Sequence, residues 1–296
     1  MNKIAIIILN YNSHQNTVEC IKSVKKLKKT NYQLEIIVID NNSQDNSKEI
    51  LQNINGITYI ESDKNLGYAG GNNLGIKLAL KKECQYLLII NNDTIVDKNL
   101  LVYLLINSIK ADIIAPKIYF APGNEFHKDR YMQENLGKVI WFAGGKIDWN
   151  NIMGIHIGVD EVDTGQFNKK REIDFATGAC MFISRKVFEK IGQFDEKYFL
   201  YLEDMDFSYR AKKAGFKILF EPKAVIWHKN AQSAGGSGSN LQDYYITRNR
   251  LLFAFKFAKL KTKLAVLKQA ILQIKNKTKR QALFDFLTMK FYGRNN

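Results

Sequence analysis

Residues 199–210 read FLYLEDMDFSYR, with three carboxylates in four positions, aromatic neighbours and a closing arginine. A carboxylate held beside apolar surface gains basicity, because exclusion of water disfavours its charged form. Such a group suits general-base chemistry on a hydroxyl that comes within ~2.6–3.2 Å. The spacing also has a structural reading. Acids favour the positive end of a helix, and Asp206 and Arg210 form an i,i+4 pair. The two readings are compatible, with Asp206 and Arg210 structural and Asp204 chemical.

A second polar set recurs through the first hundred residues: Asn10-Tyr11-Asn12, Asp40-Asn41-Asn42-Ser43, Asp63-Lys64-Asn65 and Asn91-Asn92-Asp93-Thr94. Each follows a strand-like apolar run, namely IAIIIL (4–9), LEIIVID (34–40), ITYIES (57–62) and YLLIIN (86–91). Residues 14–29, 43–54 and 72–82 between them read as helices, the second opened by a Ser or Asp cap. Strands alternating with helices predict a mostly parallel sheet, whose ligands gather beyond the carboxyl ends of its strands. One such cluster is ordinary turn chemistry. Four in succession point to a site.

The stretch NLGYAGGNNLG (65–75) is glycine-rich, but glycines at 67, 70, 71 and 75 do not fit GxGxxG. Hydride transfer with a nicotinamide cofactor is therefore disfavoured. The same glycines would let backbone approach a ligand closely. Residues 117–172 read as an irregular or short-stranded insertion, and SAGGSGSN (233–240) as a mobile loop.

Charge is unevenly placed. Residues 248–296 hold 13 Lys or Arg against Asp285, a net +12 of the total +15, so residues 1–247 carry +3. Leu260, Leu264, Leu267, Ile271 and Ile274 form one helical stripe among lysines. A basic amphipathic helix suits an anionic membrane surface. Nucleic acid is not expected as a partner, since no recognised binding motif accompanies the charge. Cys20, Cys84 and Cys180 lie far apart, which fits a reducing cytosol. The N-terminal apolar run is too short for a signal peptide, so a cytoplasmic protein is expected.

In order along the chain, ILNYN (8–12), VIDNNSQDNS (38–47), NLGYAGGNNLG, LLIINNDT (87–94), WFAGGKID (141–148), ATGACMFISR (176–185), GQFDEKYFLYLEDMDFSYR (192–210), WHK (227–229) and YYITRNRL (244–251) resemble family-2 glycosyltransferases. The set is most similar to their rhamnosyltransferase-like branch and spans residues 3–255. The resemblance implies an α/β GT-A fold, Rossmann-like, over residues 1–250. Its nucleotide-binding half would run to residue 116 and its acceptor-binding half from 117, with 251–296 a basic amphipathic helical tail.

It also implies a nucleotide-diphosphate sugar donor, dTDP- or UDP-linked, and a divalent metal, Mn²⁺ or Mg²⁺. Asp40 matches the acid that contacts the donor base, with Asn10, Asn12, Asn42, Asn65, Gly67, Gly70, Gly71 and Asn72 lining the same pocket. Asn91-Asn92-Asp93 takes the place of a DxD motif, where carboxylates let a hard cation bridge to diphosphate oxygens. Asn92 would then face the donor, and Asp93 and His228 would hold the metal. Arg248 and Arg250 match an element near the diphosphate. Glu203-Asp204 resembles the family's ED pair, with Asp204 the base and Glu203, Asp195 and Trp141 on the acceptor side. The implied reaction is an inverting sugar transfer, with rhamnose suggested by the branch. The acceptor would be a glycan, lipid-linked at the inner membrane, in surface polysaccharide synthesis. Asn91 leaves open an idle nucleotide-sugar or glycan-binding module on the same fold.

Overall fold

The computed structural model describes residues 2–230, 239–291 and 293. Four strands follow the expected apolar runs: β1 (Lys3–Asn10), β2 (Gln33–Asp40), β3 (Thr58–Glu61) and β4 (Tyr86–Asn91). Helices α1 (His14–Val24), α2 (Ser47–Leu51) and α3 (Gly67–Lys81) connect them. The centre of β1 is wholly buried, as an unbroken apolar run in a sheet covered on both faces must be. Helix α1 ends at Val24, earlier than its pattern suggests, before the like charges of Lys25, Lys26, Lys28 and Lys29. Helix α2 starts late because the Asp45 side chain accepts from the Ser47 amide at 3.0 Å, which holds a turn there.

Helix α3 begins five residues before the expected Asn72. Gly67 turns the chain at φ 68°, and at Gly71 a Cβ would lie 2.5 Å from Leu9 Cδ1. Gly71 therefore serves close packing of helix on sheet. Gly75 packs in the same way against Ile7 and Ile39.

The chain continues through β5 (Thr94–Val96), α4 (Leu100–Asn107) and β6 (Ile113–Phe120). The expected short-stranded insertion holds β7 (Ile140–Phe142), the β8 (Gly145–Asp148)–β9 (Met153–His156) hairpin and β10 (Arg171–Glu172). Then come β11 (Cys180–Ser184), α5 (Arg185–Ile191), α6 (Glu203–Lys213) and β12 (Ile218–His228). The main sheet has the order β10-β12-β6-β11-β4-β1-β2-β3. Strands β1 to β4 are parallel, and the chain steps outward from β1 to β3 before returning to β4 on the other side of β1. The carboxyl ends of β1 and β4 thus form a topological switch point, where α/β sheets bind ligands. The far half departs from the expected parallel arrangement. Strand β11 is reached through the α-helix-free segment 121–179 and runs antiparallel to both neighbours.

Helices α7 (Asn240–Phe257), α8 (Leu260–Leu272) and α9 (Lys277–Leu287) close the chain. The boundary at residue 250 falls inside α7, and α9 folds back onto α7 through a 2.6 Å bond from the Tyr244 hydroxyl to Asp285 Oδ2. On α8 the buried residues are Val266 and Ala270, while Leu264 and Leu272 are 57% and 72% exposed. Most of the glycine- and serine-rich loop, residues 231–238, lies outside the described residues; Ser239 caps α7. Among the described residues no helix is long and apolar enough to cross a membrane, and all three cysteines are free and buried.

Candidate active site

A cavity of about 1440 Å³ opens over the carboxyl ends of the parallel strands. Strand register sets its floor. Asn10 lies opposite Asp40, and Leu9 opposite Asn91, so the polar residues that end β1, β2 and β4 share one level. They bond mainly to one another. Asn10 Nδ2 donates to Asp40 Oδ1 at 3.0 Å, Tyr59 donates to Asp40 Oδ2 at 3.3 Å, and the Ser43 hydroxyl donates to Asp40 as well. Asp40 is 1% exposed and lies beneath the cavity surface. Asn41 joins the loops above, donating to Asn65 Oδ1 at 3.0 Å and the Gly67 carbonyl at 3.1 Å. Asn42, Asn65, Gly67, Asn92 and Lys64 line the cavity directly.

The next wall is assembled from β4, β5 and β12. Pairing of Thr94 with His228 across β5 and β12 brings His228 Nε2 to 3.0 Å from Asp93 Oδ1, and both residues are buried. Trp141 sets its ring edge-on against His228, with centroids 4.6 Å apart, and against His156 at 4.5 Å. Burial pushes His156 down to about 4, so it stays neutral while donating to the Trp141 carbonyl at 3.3 Å. Asp93, His228 and Trp141 all face the cavity. An oxygen and a nitrogen donor side by side suit a divalent cation that takes its remaining ligands from elsewhere. Among the described residues no group of three or more metal-ligating side chains is assembled.

The third wall carries the acidic cluster at the start of α6. Asp204 Oδ2 accepts from the Gly178 amide at 2.8 Å, and its Oδ1 from the Met205 amide at 2.7 Å. Burial raises the Asp204 carboxyl above its usual range, against the opposing pull of those amides. Glu203 is 5% exposed, its Oε2 has no hydrogen-bond partner among the described residues, and burial followed by the Asp204 charge raises it further. Tyr68 donates to the Gly178 carbonyl at 2.6 Å, bracing the residue whose amide holds Asp204. The loop before α6 is strained. Phe199 (φ 60°, ψ −60°), Tyr201 (φ 69°) and Leu202 (φ 68°) are non-glycine residues in the left-handed half of conformational space. Each such residue costs on the order of 1–3 kcal/mol unless its surroundings fix it. Asp206 behaves as the structural member of the cluster, bound to Arg210 Nε at 2.6 Å and to Tyr198 at 3.1 Å.

Several expected site residues stand elsewhere. Arg248 is fully buried and donates to the carbonyls of Lys197 and Tyr198, not toward the cavity. Arg250 donates to the Asn151 carbonyl at 2.6 Å and reaches Gln269 on α8. Asp195 pairs with Lys256 at 2.9 Å. Gly70, Gly71 and Asn72 are buried along α3, and Asn12 is committed to the neighbouring loop, accepting from the Gln44 amide at 2.6 Å. Arg248, Arg250, Asp195, Gly70, Gly71, Asn72, Asn10, Asn12 and Asp40 are thus absent from the cavity surface, because each is satisfied by protein groups beside it or packed into the core. Sequence reasoning missed Lys64 and Lys197, the only Lys or Arg among the described residues lining the cavity. It also missed the Gly178 amide. Lys64 had a signal, since it lies within the third strand-end cluster; the amide had none.

Known proteins resemble this chain in sequence and in fold. The family model described as glycosyl transferase family 2 matches residues 5–192, more than half of the chain. The chain belongs to this family. Among curated family relatives, the low-salt glycan biosynthesis hexosyltransferase Agl10 of Haloferax volcanii is 27% identical over 255 residues, covering 85% of this chain and 75% of its own. An N-acetylglucosaminyl-diphospho-decaprenol L-rhamnosyltransferase of Mycobacterium tuberculosis is 38% identical, but over 66 residues, 22% of each chain. Solved structures share the GT-A fold. GalNAc-T7 with UDP, GalNAc and Mn²⁺ aligns at TM-score 0.62 and 16% identity, covering 98% of this chain and 57% of that one. The Pyrobaculum calidifontis mannosyltransferase PcManGT with GDP-Man and Mn²⁺ aligns at 0.58 and 13% identity, covering 97% and 88%. This family-2 glycosyltransferase thus has a GT-A fold.

Proposed function

We propose that the enzyme transfers a sugar, with inversion, from a dTDP- or UDP-linked donor to a hydroxyl of a glycan acceptor carried on a lipid. The observation that carries this reading is that Asp204, with its raised basicity, opens onto the same cavity as Asp93 and His228. The acceptor hydroxyl gives its proton to Asp204 as its oxygen bonds to C1 of the sugar. The bond from C1 to the diphosphate oxygen breaks on the opposite face, and the nucleoside diphosphate leaves with the electron pair. Asp93 and His228 would hold a divalent cation, which when bound supplies positive charge to the departing diphosphate. Trp141 and Glu203 lie on the cavity wall where an acceptor sugar would be gripped, by stacking and by hydrogen bonding respectively. The solved relatives bound to UDP or GDP-Man with Mn²⁺ support the donor class and the metal in general.

The experiment is a panel of dTDP-rhamnose, UDP-glucose, UDP-galactose, UDP-GlcNAc and GDP-mannose with Mn²⁺ or EDTA and a polyprenyl-diphosphate-GlcNAc acceptor. Metal-dependent release of one nucleoside diphosphate, with a product of inverted anomeric configuration, is expected. Donor binding without release across the panel would leave an idle binding module instead.

The tail supports a location at an anionic membrane surface. Leu260, Leu264, Ile271 and Leu272 are exposed on α8 among Lys259, Lys261, Lys263 and Lys268, a face suited to an anionic bilayer on the cytoplasmic side. Wild-type protein should sediment with phosphatidylglycerol vesicles and the double variant Leu264→Glu/Leu272→Glu should not, with both melting alike. Equal sedimentation of the two would remove the tail as the anchor.

A further inference from the structure

The segment Lys197–Leu202 that presents Glu203 and Asp204 is strained at Phe199, Tyr201 and Leu202, yet every carbonyl from 197 to 201 is held. Arg248 Nη2 donates to Lys197 O at 2.9 Å and to Tyr198 O at 2.8 Å. Asn249 Nδ2 lies 2.8 Å from the carbonyl oxygens of Tyr198, Leu200 and Tyr201. The Phe199 carbonyl accepts from the Tyr68 amide at 2.6 Å and the Ala69 amide at 3.3 Å, at the first turn of α3. The Leu200 amide donates to Tyr198 O at 2.7 Å, closing a three-residue turn about Phe199.

The donors are themselves fixed. The Arg248 guanidinium lies 4.9 Å from the Tyr245 ring centroid, 5.6 Å from Tyr244 and 5.7 Å from Phe291. Its Nε donates to Asn249 Oδ1 at 3.0 Å, which orients the amide toward the loop. Phe199 stacks on Tyr245 at 5.2 Å and an interplanar angle of 15°. Two of these supports come from the C-terminal region: Phe291, and Asp285 of α9, which accepts from Tyr244. A buried guanidinium surrounded by aromatic faces and carbonyls is in place for backbone, not for a diphosphate.

We infer that Arg248 and Asn249 are positioning residues, which clamp the strained segment 197–202 and thereby set Asp204 against the acceptor, with α9 bracing the clamp. The inference rests on the reading of Asp204 as the base. A loop of this kind left to relax would move the carboxylate without touching the donor pocket, and a misplacement of about 1 Å can cost about 100-fold in rate. Lysine at 248 keeps the charge but lacks the planar group that meets two carbonyls through Nη2 and Asn249 Oδ1 through Nε at once.

The test compares Arg248→Lys, Asn249→Ser, Asp285→Asn and Asp204→Asn with wild type. It measures kcat from nucleoside diphosphate release with the donor selected by the panel, and Kd for UDP and dTDP with Mn²⁺ by calorimetry. Arg248→Lys and Asn249→Ser should each lower kcat about 100-fold while Kd stays within about twofold. Asp285→Asn should lower kcat about threefold to tenfold, again with Kd unmoved. Asn249→Ser leaves the buried arginine in place and decides the matter if the lysine variant does not fold. A parallel tenfold weakening of nucleotide binding in Arg248→Lys would return that residue to the diphosphate and overturn the clamp. So would kcat within about twofold of wild type in Asn249→Ser. An active Asp204→Asn variant would instead overturn the assignment of the base.

Discussion

Asp40, beneath the strand-end floor, and Asp204, in the α6 wall, are two carboxylates of one molecule with different surroundings. Asp40 accepts from three side chains, those of Asn10, Ser43 and Tyr59. Asp204 accepts from the backbone amides of Gly178 and Met205, and it has a second carboxyl, Glu203, as its neighbour. The first arrangement satisfies the charge and stiffens a loop. The second leaves basicity in reserve and sits on a strained turn. The difference teaches that the network around Asn10 and Asp40 is a scaffold whose polar groups serve each other, whereas Glu203 and Asp204 in the α6 wall are held by few protein groups.

The comparison can be broken most directly at Asp204. Asp204→Asn keeps the shape and one of the two acceptors that meet the Gly178 and Met205 amides, and it removes the proposed base, so kcat should fall by about 10²–10⁴-fold with nucleotide binding retained. Calorimetry together with nucleoside diphosphate release checks it, and turnover near the wild-type rate sinks the assignment.

The scaffold side should respond in stability. Asp40→Ala leaves the buried donors of Asn10, Ser43 and Tyr59 without their acceptor, for an expected loss of about 3 kcal/mol in urea unfolding. A loss below about 0.5 kcal/mol would mean that the network is worth no more than water.

The smallest effect expected is at Glu203, and its sign is opposite. The folded carboxyl holds its proton to higher pH than the unfolded chain, whose value is 4.5. As pH rises above that value the unfolded chain ionises first, so Glu203 costs the folded state progressively more stability up to its own raised pKa. Glu203→Gln should therefore stabilise the protein by about 1–2 kcal/mol at pH 7 and by almost nothing near pH 4.5. Denaturant melts across that range check it. An advantage that grows toward acid would show that Glu203 is well paired when ionised.

Much of the scaffold was legible in the chain. Apolar runs of six or seven residues suit strands buried on both faces, and β1, β2 and β4 follow them closely. The clusters after the strands marked the edge of the sheet over which the cavity opens, since β1, β2 and β4 end at one level. The pair Asp206–Arg210 was readable because helical spacing is local. Side-chain direction was less legible. Arg248 and Arg250 looked alike as cations on one segment, but a helix turns by about 100° per residue, so two positions apart they face different partners. One is sealed against the 197–202 loop and the other meets Asn151. The α8 stripe was legible as an amphipathic face, and only the fold shows Leu260, Leu264, Ile271 and Ile274 exposed while Leu267 packs against the core.

By itself the sequence determined the alternating core, the polar strand ends and the concentration of acid at 203–206, because these depend on periodicity and on neighbours a few residues apart. Tertiary structure decided that His228 meets Asp93 across a strand pair, that the Gly178 amide holds Asp204, and that Arg248 and Asn249 grip backbone 50 residues upstream. Contacts of that kind arise from register, closure and the direction of a side chain within a packed core, and no local pattern records them.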